Sequence, residues 1–151
     1  MSANENKLNH ASVLLIAGSP SAPSRSARLL EYVDTLLAQT GYATDRLNVR
    51  DLPAEALLHA DFEDPLLRGA QKRVARARAI VLATPVYKAA YSGVLKAFLD
   101  LLPQDALAGK AALALVTGGN PEHRPTSPCG NCSRHCPPVT CCRPCSHWIS
   151  R

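Results

Sequence analysis

The segment from Val13 to Leu30, VLLIAGSPSAPSRSARLL, most constrains what this chain can fold into. Five apolar residues, Val13–Ala17, lead into Gly18 and a turn that is rich in serine and proline. Beyond the turn, apolar residues recur at the spacing of one helix face, at Leu29, Leu30, Val33, Leu36 and Leu37. The pattern predicts a strand buried on both faces, then a hydroxyl-rich turn, then an amphipathic helix.

The turn between this strand and this helix has the chemistry of a phosphate site. The first turn of a helix offers free N–H groups and the positive end of the helix dipole. Ser19, Ser24, Arg25 and Ser26 would add donors to a bound anion. The same serines would also serve simply as helix caps and turn formers. Because the turn lacks the glycine pattern of dinucleotide folds and the Gly-Lys-Ser/Thr of nucleotide triphosphatases, it suits one terminal phosphate, as in FMN.

Apolar strands and amphipathic helices alternate along the rest of the first 119 residues. Continuously apolar strands that alternate with helices predict a parallel sheet covered on both faces. The predicted elements are a strand over Tyr42–Val49, a loop over Asp51–Asp64, a helix over Pro65–Ala77, a strand over Ala79–Thr84, a helix over Gly93–Leu102 and a strand over Ala111–Val116.

Ligands of parallel sheets bind at the carboxyl ends of the strands. Three loops are expected there, Gly18–Ser26, Pro85–Gly93 and Thr117–Gly119. The second loop would place the Tyr87 ring as a wall against a flat ligand, or would be a turn with a half-exposed tyrosine. The glycines of the third would let backbone approach a ligand edge, or would form a simple turn. Together the three loops favour a mononucleotide with a large planar base.

Four segments, GSPSAPSRSARLLEY, LLHADFEDP, ATPVYKAAYSGVLKAFLDLLP and LVTGG, carry a resemblance to a known family. They resemble the NADPH-dependent FMN reductases of the flavodoxin-like superfamily, especially the flavin reductases that serve alkanesulfonate monooxygenases. The resemblance implies a flavodoxin-like three-layer α/β sandwich with a parallel sheet. It also implies that the protein, when intact, is a homo-oligomer, a dimer or tetramer. Its function would be to reduce free FMN with NADPH or NADH and supply the reduced flavin to a monooxygenase that releases sulfite from organosulfonates.

The resemblance also assigns roles to residues. Ser19, Ser24, Arg25 and Ser26 would contact the flavin phosphate, Pro85, Val86, Tyr87 and Lys88 would line the ring system, and Thr117, Gly118 and Gly119 would border its other side. Tyr91 matches a position that, in this subgroup, marks a one-residue insertion in a helix at the oligomer interface, which favours release of flavin as a product. Ser21 departs from the arginine that many relatives carry for the phosphate. No catalytic acid or base and no metal ligand is expected, because the flavin accepts hydride from the nicotinamide.

Composition and charge argue against secretion, membrane insertion and nucleic-acid binding. The start, MSANENKLNHAS, is polar and has no apolar signal core, so residues 1–11 are expected to be a disordered leader of a cytoplasmic protein. No apolar run reaches the roughly 18 residues of a membrane span. The formal net charge is +5, and four arginines stand against Glu122 alone after residue 120. The basic excess therefore gives little support to nucleic-acid binding by the folded part.

Residues 120–151 differ in kind from the preceding domain over residues 12–119. The segment holds all six cysteines and six of the twelve prolines, and it has no apolar period. Its pairs Cys129/Cys132 and Cys142/Cys145 have metal-ligand spacing, with Cys136, Cys141, His135 and His147 nearby. Only nine residues separate the pairs and prolines interrupt them. Because the change in sequence falls abruptly inside a family motif region, translation in a shifted frame from near codon 119 is the favoured interpretation, and a small metal module is the alternative.

The frameshift interpretation has consequences for the fold and the function. It predicts that the C-terminal strand and helices are missing, so that the strand over Ala111–Val116 forms an open edge of the sheet. The protein would then be poorly stable and bind flavin weakly. Two further functions stay open at this point. One is an inactive truncated reductase, and the other is a non-catalytic flavin-binding protein with a zinc- or redox-sensing cysteine tail.

Overall fold

A parallel sheet forms the centre of the structure, as the apolar strands predict. A computed structural model of the chain describes residues 13–118. In chain order its elements are β1 (Val13–Ala17), α1 (Arg25–Gln39), β2 (Thr44–Asn48), a 3-10 turn (Val49–Asp51), α2 (Ala54–His59), α3 (Pro65–Arg76), β3 (Ala79–Tyr87), β4 (Ala90–Tyr91), α4 (Gly93–Asp100) and β5 (Ala111–Thr117).

The strand order makes the carboxyl end of β1 a natural place for a ligand. The four parallel strands lie in the order β2-β1-β3-β5, and the short β4 pairs antiparallel with the end of β3. Val13 lies opposite Thr44 on one side and Ala79 on the other. The chain leaves β1 toward β2 and later returns on the opposite side through β3. The order therefore reverses at β1, and such reversals open a crevice at the strand ends.

Helices cover both faces of this sheet and form three layers. All five residues of β1 are buried. Leu14 and Ile16 face the core beneath α2, α3 and α4, whereas Val13 and Leu15 face the smaller core beneath α1. Phe98 of α4 has no exposed surface and is the largest fully buried side chain of the described residues. The three-layer flavodoxin-like arrangement that the resemblance implies is thus confirmed.

Local side-chain contacts explain where α3 begins. The Asp64 Oδ1 atom accepts hydrogen bonds from the backbone N–H groups of Leu66 and Leu67, both at 2.9 Å. Pro65 occupies the first helical position, where no N–H is needed. A side-chain cap of this kind stabilises a helix by about 1 kcal/mol. These signals are local, so the sequence predicts this helix start correctly.

Two predicted loops contain regular structure instead. Ala54–His59 forms a short helix inside the segment predicted to be a loop, and it buries Ala56 and Leu57. Six residues span less than two helical turns, so they show no apolar period, although alanine, glutamate and leucine favour helix. The segment Pro85–Gly93 is likewise a hairpin with the beginning of α4, not an irregular loop.

Several expectations concern residues outside the described range of 13–118. These are the leader over residues 1–11, Gly119 and the cysteine-rich segment 120–151. Within the described range β5 pairs with β3 only, and Leu115 is its only buried residue. None of the described helices is long and apolar enough to cross a membrane.

Gly18 allows α4 to approach the end of β1 closely. A Cβ atom built on Gly18 would lie 2.9 Å from Leu95 Cβ, whereas one on Gly69 in α3 would meet nothing within 4 Å. We expect Gly18→Ala to lower the free energy of unfolding by about 1–3 kcal/mol, because a buried backbone contact must open. The matched change Gly69→Ala should raise it by up to about 1 kcal/mol through helix propensity. Urea unfolding followed by circular dichroism measures both, and equal stabilities of the two variants would contradict the prediction.

Candidate functional site

The three predicted loops meet at one edge of the sheet. The Gly18 N–H donates a 2.8 Å hydrogen bond to the Ala83 carbonyl, which joins the end of β1 to β3. Thr117 lies opposite Pro85 in the parallel register of β5 and β3. Gly118 follows Thr117 and is exposed, and Gly119 lies outside the described residues. The register therefore brings together the turn after β1, the end of β3 and the end of β5.

The serine-rich turn holds itself in shape through its own hydroxyl groups. Ser19 is almost fully buried, and its Oγ accepts the Ser21 N–H at 3.2 Å. The Ser24 Oγ caps α1 by accepting the Ala27 N–H at 3.4 Å. Ser24 and Ser26 also share a hydrogen bond of 2.7 Å between their hydroxyl groups, and Ser26 is buried. The serines therefore do act as caps and turn formers.

Capping leaves the anion-binding capacity of this helix start intact. The backbone N–H groups of Arg25 and Ser26 lie in the first turn of α1, where the helix itself offers no acceptor. The Arg25 side chain is exposed at the first helical position. Free amides, the positive end of the helix dipole and a guanidinium group together favour a phosphate there. The individual phosphate contacts of Ser19, Ser24, Arg25 and Ser26 stay predictions.

The second loop is a β-hairpin with an unusual turn. Val86 pairs with Tyr91 and Tyr87 pairs with Ala90. The two residues between the strands, Lys88 and Ala89, both have positive φ angles, of 51° and 63°. Two-residue hairpin turns require this conformation, and asparagine or glycine usually supplies it. Neither is present here, which is why the sequence predicts a loop and not a hairpin.

The hairpin corrects the expectation of a helical insertion at Tyr91 and agrees with the expectation of an exposed ring at Tyr87. Tyr91 lies in β4, two residues before α4 begins, so the predicted helical insertion is not at this residue. Strand pairing with Val86 fixes Tyr91 in extended backbone. The side chains of Tyr87 and Tyr91 are 48% and 38% exposed. The hairpin thus carries two partly exposed tyrosines at the ligand edge of the sheet, and because side chains alternate along a strand they lie on its opposite faces.

Two buried hydroxyl groups that the sequence analysis did not select connect these loops. The Ser92 N–H donates to Thr84 Oγ1 at 3.1 Å, and the Ser92 hydroxyl donates to the Gly18 carbonyl. The Ser92 Oγ also accepts the Leu95 N–H at 3.2 Å and so caps α4. Ser92 therefore ties the hairpin, α4 and the serine-rich turn to one another. A serine directly before a predicted helix was the available signal, but its contact with Gly18 spans 74 residues of sequence.

The end of β2 adds basic residues that the sequence analysis also missed. A small pocket of about 70 Å³ beside the serine-rich turn is lined by Ser19 and Ser21, by Arg46, Asn48 and Arg50, and by the acidic Glu31 of α1. The Asn48 amide donates to Asp51 at 2.8 Å, and this hydrogen bond, helped by the neighbouring Arg50, lowers the pKa of the Asp51 carboxyl. Asp51 is therefore charged at neutral pH.

A family model described as NADPH-dependent FMN reductase matches residues 11–125. The chain belongs to this family. Its solved relatives include the apo form of an NADH:FMN oxidoreductase, EMOB, which aligns with a TM-score of 0.70 and 47% identity over 75% of this chain and 61% of that chain. Family membership agrees with the resemblance that the four sequence segments carry.

Two curated FMN reductases (NADPH) are similar to this chain. The protein of Pseudomonas putida KT2440 is 49% identical over 111 residues, which cover 74% of this chain and 56% of the relative. The protein of Escherichia coli K12 is 46% identical over 111 residues, covering 74% of this chain and 58% of the relative. The chain thus spans less than two thirds of the length of these two relatives.

The residues of the proposed zinc module lie outside the part of the chain that the structure describes. Residues 13–118 contain no group of three histidine, cysteine, aspartate or glutamate side chains that could hold a metal ion. The cysteine pairs of the zinc alternative lie outside this range.

Ser92→Ala tests the buried junction between the loops. It leaves the Gly18 carbonyl and the Leu95 N–H without the Ser92 hydroxyl, so we expect the free energy of unfolding to fall by about 1–3 kcal/mol. Thr35→Ala is the control, because its exposed hydroxyl only bonds back to the Glu31 carbonyl. That change should alter stability by less than about 0.5 kcal/mol. Chemical denaturation compares them, and a Ser92→Ala variant as stable as Thr35→Ala would refute the role of the junction.

Ala89→Gly tests the strain in the hairpin turn. We expect a gain in stability of roughly 0.5–1 kcal/mol, because glycine adopts a positive φ without the penalty that a Cβ atom brings. Ala90→Gly, one residue later in extended backbone, should instead lose a similar amount. Thermal unfolding of both variants measures whether each change in stability is a gain or a loss. A loss of stability in Ala89→Gly would show that the turn is not strained.

Proposed function

We propose that this chain forms the flavin-binding part of an NAD(P)H-dependent FMN reductase. The observation that carries this proposal is the placement of the α1 start and the tyrosine-bearing hairpin at one edge of the sheet. One offers an anion site and the other offers exposed aromatic rings, as a flavin mononucleotide requires. Membership of the family supports the same activity, and both curated relatives are named FMN reductase (NADPH).

The residues at the helix start fit the phosphate group of FMN. The exposed Arg25 guanidinium and the first-turn N–H groups of α1 would hold the phosphate, with the Ser24 hydroxyl at the cap. Ser19 and Ser26 are buried, so they shape the turn and add hydroxyl dipoles from beneath. A charge-assisted contact of this kind contributes about 1.5–3 kcal/mol.

The ends of β3 and β5 fit the flat ring system of the flavin. Pro85, Val86, Tyr87 and Lys88 form the outer half of the hairpin, and Thr117 lies opposite Pro85 with Gly118 next in the chain. Neighbouring strands lie roughly 4.8 Å apart, so both loops can border one ring. Tyr91 pairs with Val86 in the same hairpin, and we propose Gly119 as the continuation of this border.

The bound flavin would accept hydride from the nicotinamide, and no acid or base from the chain is required. The chain would bind the two substrates, hold their rings in contact and keep water out of that contact. The reductant would be NADPH or NADH. No side chain of this site is therefore assigned as a proton donor.

We further propose that the reduced flavin serves a monooxygenase that acts on alkanesulfonates, and that the whole protein is a homo-oligomer in the cytoplasm. The motif TPVYKAAYSG supports this, since it carries the resemblance to the flavin reductases of that system. Sulfite released by such a monooxygenase, when this protein is its only source of reduced FMN, tests the proposal. An absence of sulfite despite rapid FMN reduction would restrict the function to flavin reduction.

Oxidation of NADPH by the full chain in the presence of added FMN is the direct test of the activity. Flavin binding without NADPH oxidation would instead favour a non-catalytic flavin-binding protein.

The variant Arg25→Gln tests where the phosphate group of FMN binds. We expect it to raise the KM for FMN at least tenfold while leaving the KM for riboflavin, which has no phosphate, nearly unchanged.

Arg28→Gln is the matched control for Arg25→Gln. Arg28 is also exposed on α1, one helical turn further from the turn after β1, and it has the same charge. Its KM for FMN should stay within about twofold of the wild-type value, because surface charges one turn away act weakly. Equal effects of the two substitutions would show only a general loss of positive charge.

A further inference from the structure

The pocket beside the serine-rich turn shares Ser19 with the proposed flavin phosphate site, but its arginines have no role in the proposed flavin binding. Its polar lining comes from Ser19 and Ser21 of the turn, from Glu31 of α1, from Arg46 and Asn48 of β2, and from Arg50 just after β2. We call this the β2 pocket. Its volume of about 70 Å³ suits a small group and is too small for a ring system.

Arg46 carries an unused donor at this place. Its Nη2 atom contacts Glu31 Oε1 at 2.9 Å. Its Nε atom is buried and has no hydrogen-bond acceptor within residues 13–118. Buried donors are almost always paired with an acceptor, so an orphaned guanidinium N–H indicates a site for a bound oxygen atom.

The charged residues that line the β2 pocket are Arg46, Arg50 and Glu31, so its formal net charge is positive. Glu31 is 55% exposed, so its ion pair with Arg46 is largely screened by water. Arg50 contacts Asp51 only at 3.4 Å, and Asp51 already accepts the stronger hydrogen bond from Asn48. Neither guanidinium group is therefore saturated by its acidic neighbour.

The β2 pocket lies on the far side of the serine-rich turn from the hairpin. Across the sheet the order is β2-β1-β3-β5, so one strand separates the end of β2 from the hairpin on β3. Ala27, from the first turn of α1, also lines the β2 pocket. An anion there would thus lie near the positive end of the α1 dipole. The lining includes neither Ser24 nor Arg25, which the proposed flavin phosphate would use.

The end of the second strand has a known task in related architectures. In doubly wound dinucleotide folds an arginine near this place accommodates the 2′-phosphate of NADP, and this comparison is one of fold alone. The proposed reaction brings two phosphomonoesters to the protein, the 5′-phosphate of FMN and the 2′-phosphate of NADPH. NADH has a hydroxyl group in place of the latter.

We propose that the β2 pocket binds a phosphomonoester dianion, and that this dianion is the 2′-phosphate of NADPH. Arg46 would donate its free Nε–H to a phosphate oxygen, and Arg50 would contribute a second guanidinium group. Both residues would thereby select NADPH over NADH. This inference rests on the proposed function for the identity of the cofactor, but the binding chemistry of the pocket does not require turnover.

Calorimetric titration of the full chain with adenosine 2′,5′-bisphosphate and with adenosine 5′-monophosphate tests the binding directly. We expect the bisphosphate to bind at least tenfold more tightly, because guanidinium contacts to a phosphate are charge-assisted. Arg46→Gln and Arg50→Gln should each remove most of this preference. Arg68→Gln is the matched control, because Arg68 of α3 forms an exposed ion pair with Glu63, which precedes the helix. This variant should keep the preference for the bisphosphate.

Steady-state kinetics then separate the two sources of phosphate. In Arg46→Gln the ratio of kcat/KM for NADPH to that for NADH should fall about tenfold, while the ratio for FMN to riboflavin is kept. A fall in the FMN ratio instead would overturn the inference, because the pocket would then hold the flavin phosphate. Unchanged ratios in both arginine variants would overturn it as well. A wild-type chain that prefers the bisphosphate but oxidises no NADPH would refute the proposed function and leave the pocket assignment standing.

Discussion

The contact between Gly18 and the start of α4 is the constraint on which the rest of the site depends. The Ser92 hydroxyl donates to the Gly18 carbonyl, and Leu95 packs where a Cβ atom on residue 18 would lie. This single place joins the strand that begins the fold to the helix that follows the hairpin. Because Ser92 also bonds to Thr84, the hairpin cannot move independently of the serine-rich turn. The proposed phosphate and ring subsites lie on this mutually anchored backbone and so keep a fixed separation, which the proposed hydride transfer between two rings would need.

The hairpin turn, unlike this rigid junction, has a strained backbone, and it lies where the proposed flavin ring would bind. Lys88 and Ala89 hold left-handed backbone conformations that cost each non-glycine residue roughly 1–2 kcal/mol. Pairing of Tyr87 with Ala90 and anchoring of Ser92 on the other side maintain the conformation. The turn keeps the Tyr87 ring exposed at the sheet edge and gives it a defined direction. Strained backbone of this kind is common where a protein presents a side chain to a ligand.

The serine-rich turn lies between two different chemical environments. On the β3 side it faces the aromatic hairpin, and on the β2 side it faces the guanidinium groups of Arg46 and Arg50. A second ion pair keeps β2 in place, since Arg73 of α3 contacts Asp45 at 2.6 and 2.7 Å and also donates to the Arg46 carbonyl. The backbone from which the Arg46 side chain leaves is therefore fixed. The two proposals thus place two phosphate groups at this one turn, that of FMN at the start of α1 and that of NADPH in the β2 pocket.

The sequence by itself determined what depends on near neighbours along the chain. The buried β1, the capped start of α3 and the alternation of strands and helices follow from apolar period and capping chemistry, and family motifs indicated the flavin loops. Tertiary structure alone decided the rest. The hairpin turn has no asparagine or glycine that would indicate it in the sequence. The six residues of α2 are too few to show the apolar period of a helix. Ser92 bonds to Gly18, and Arg46 lines the same pocket as Ser21, only because strand order and register bring distant segments together. Parallel pairing is specified by packing across the whole sheet, so no local pattern encodes which side chains will share a pocket.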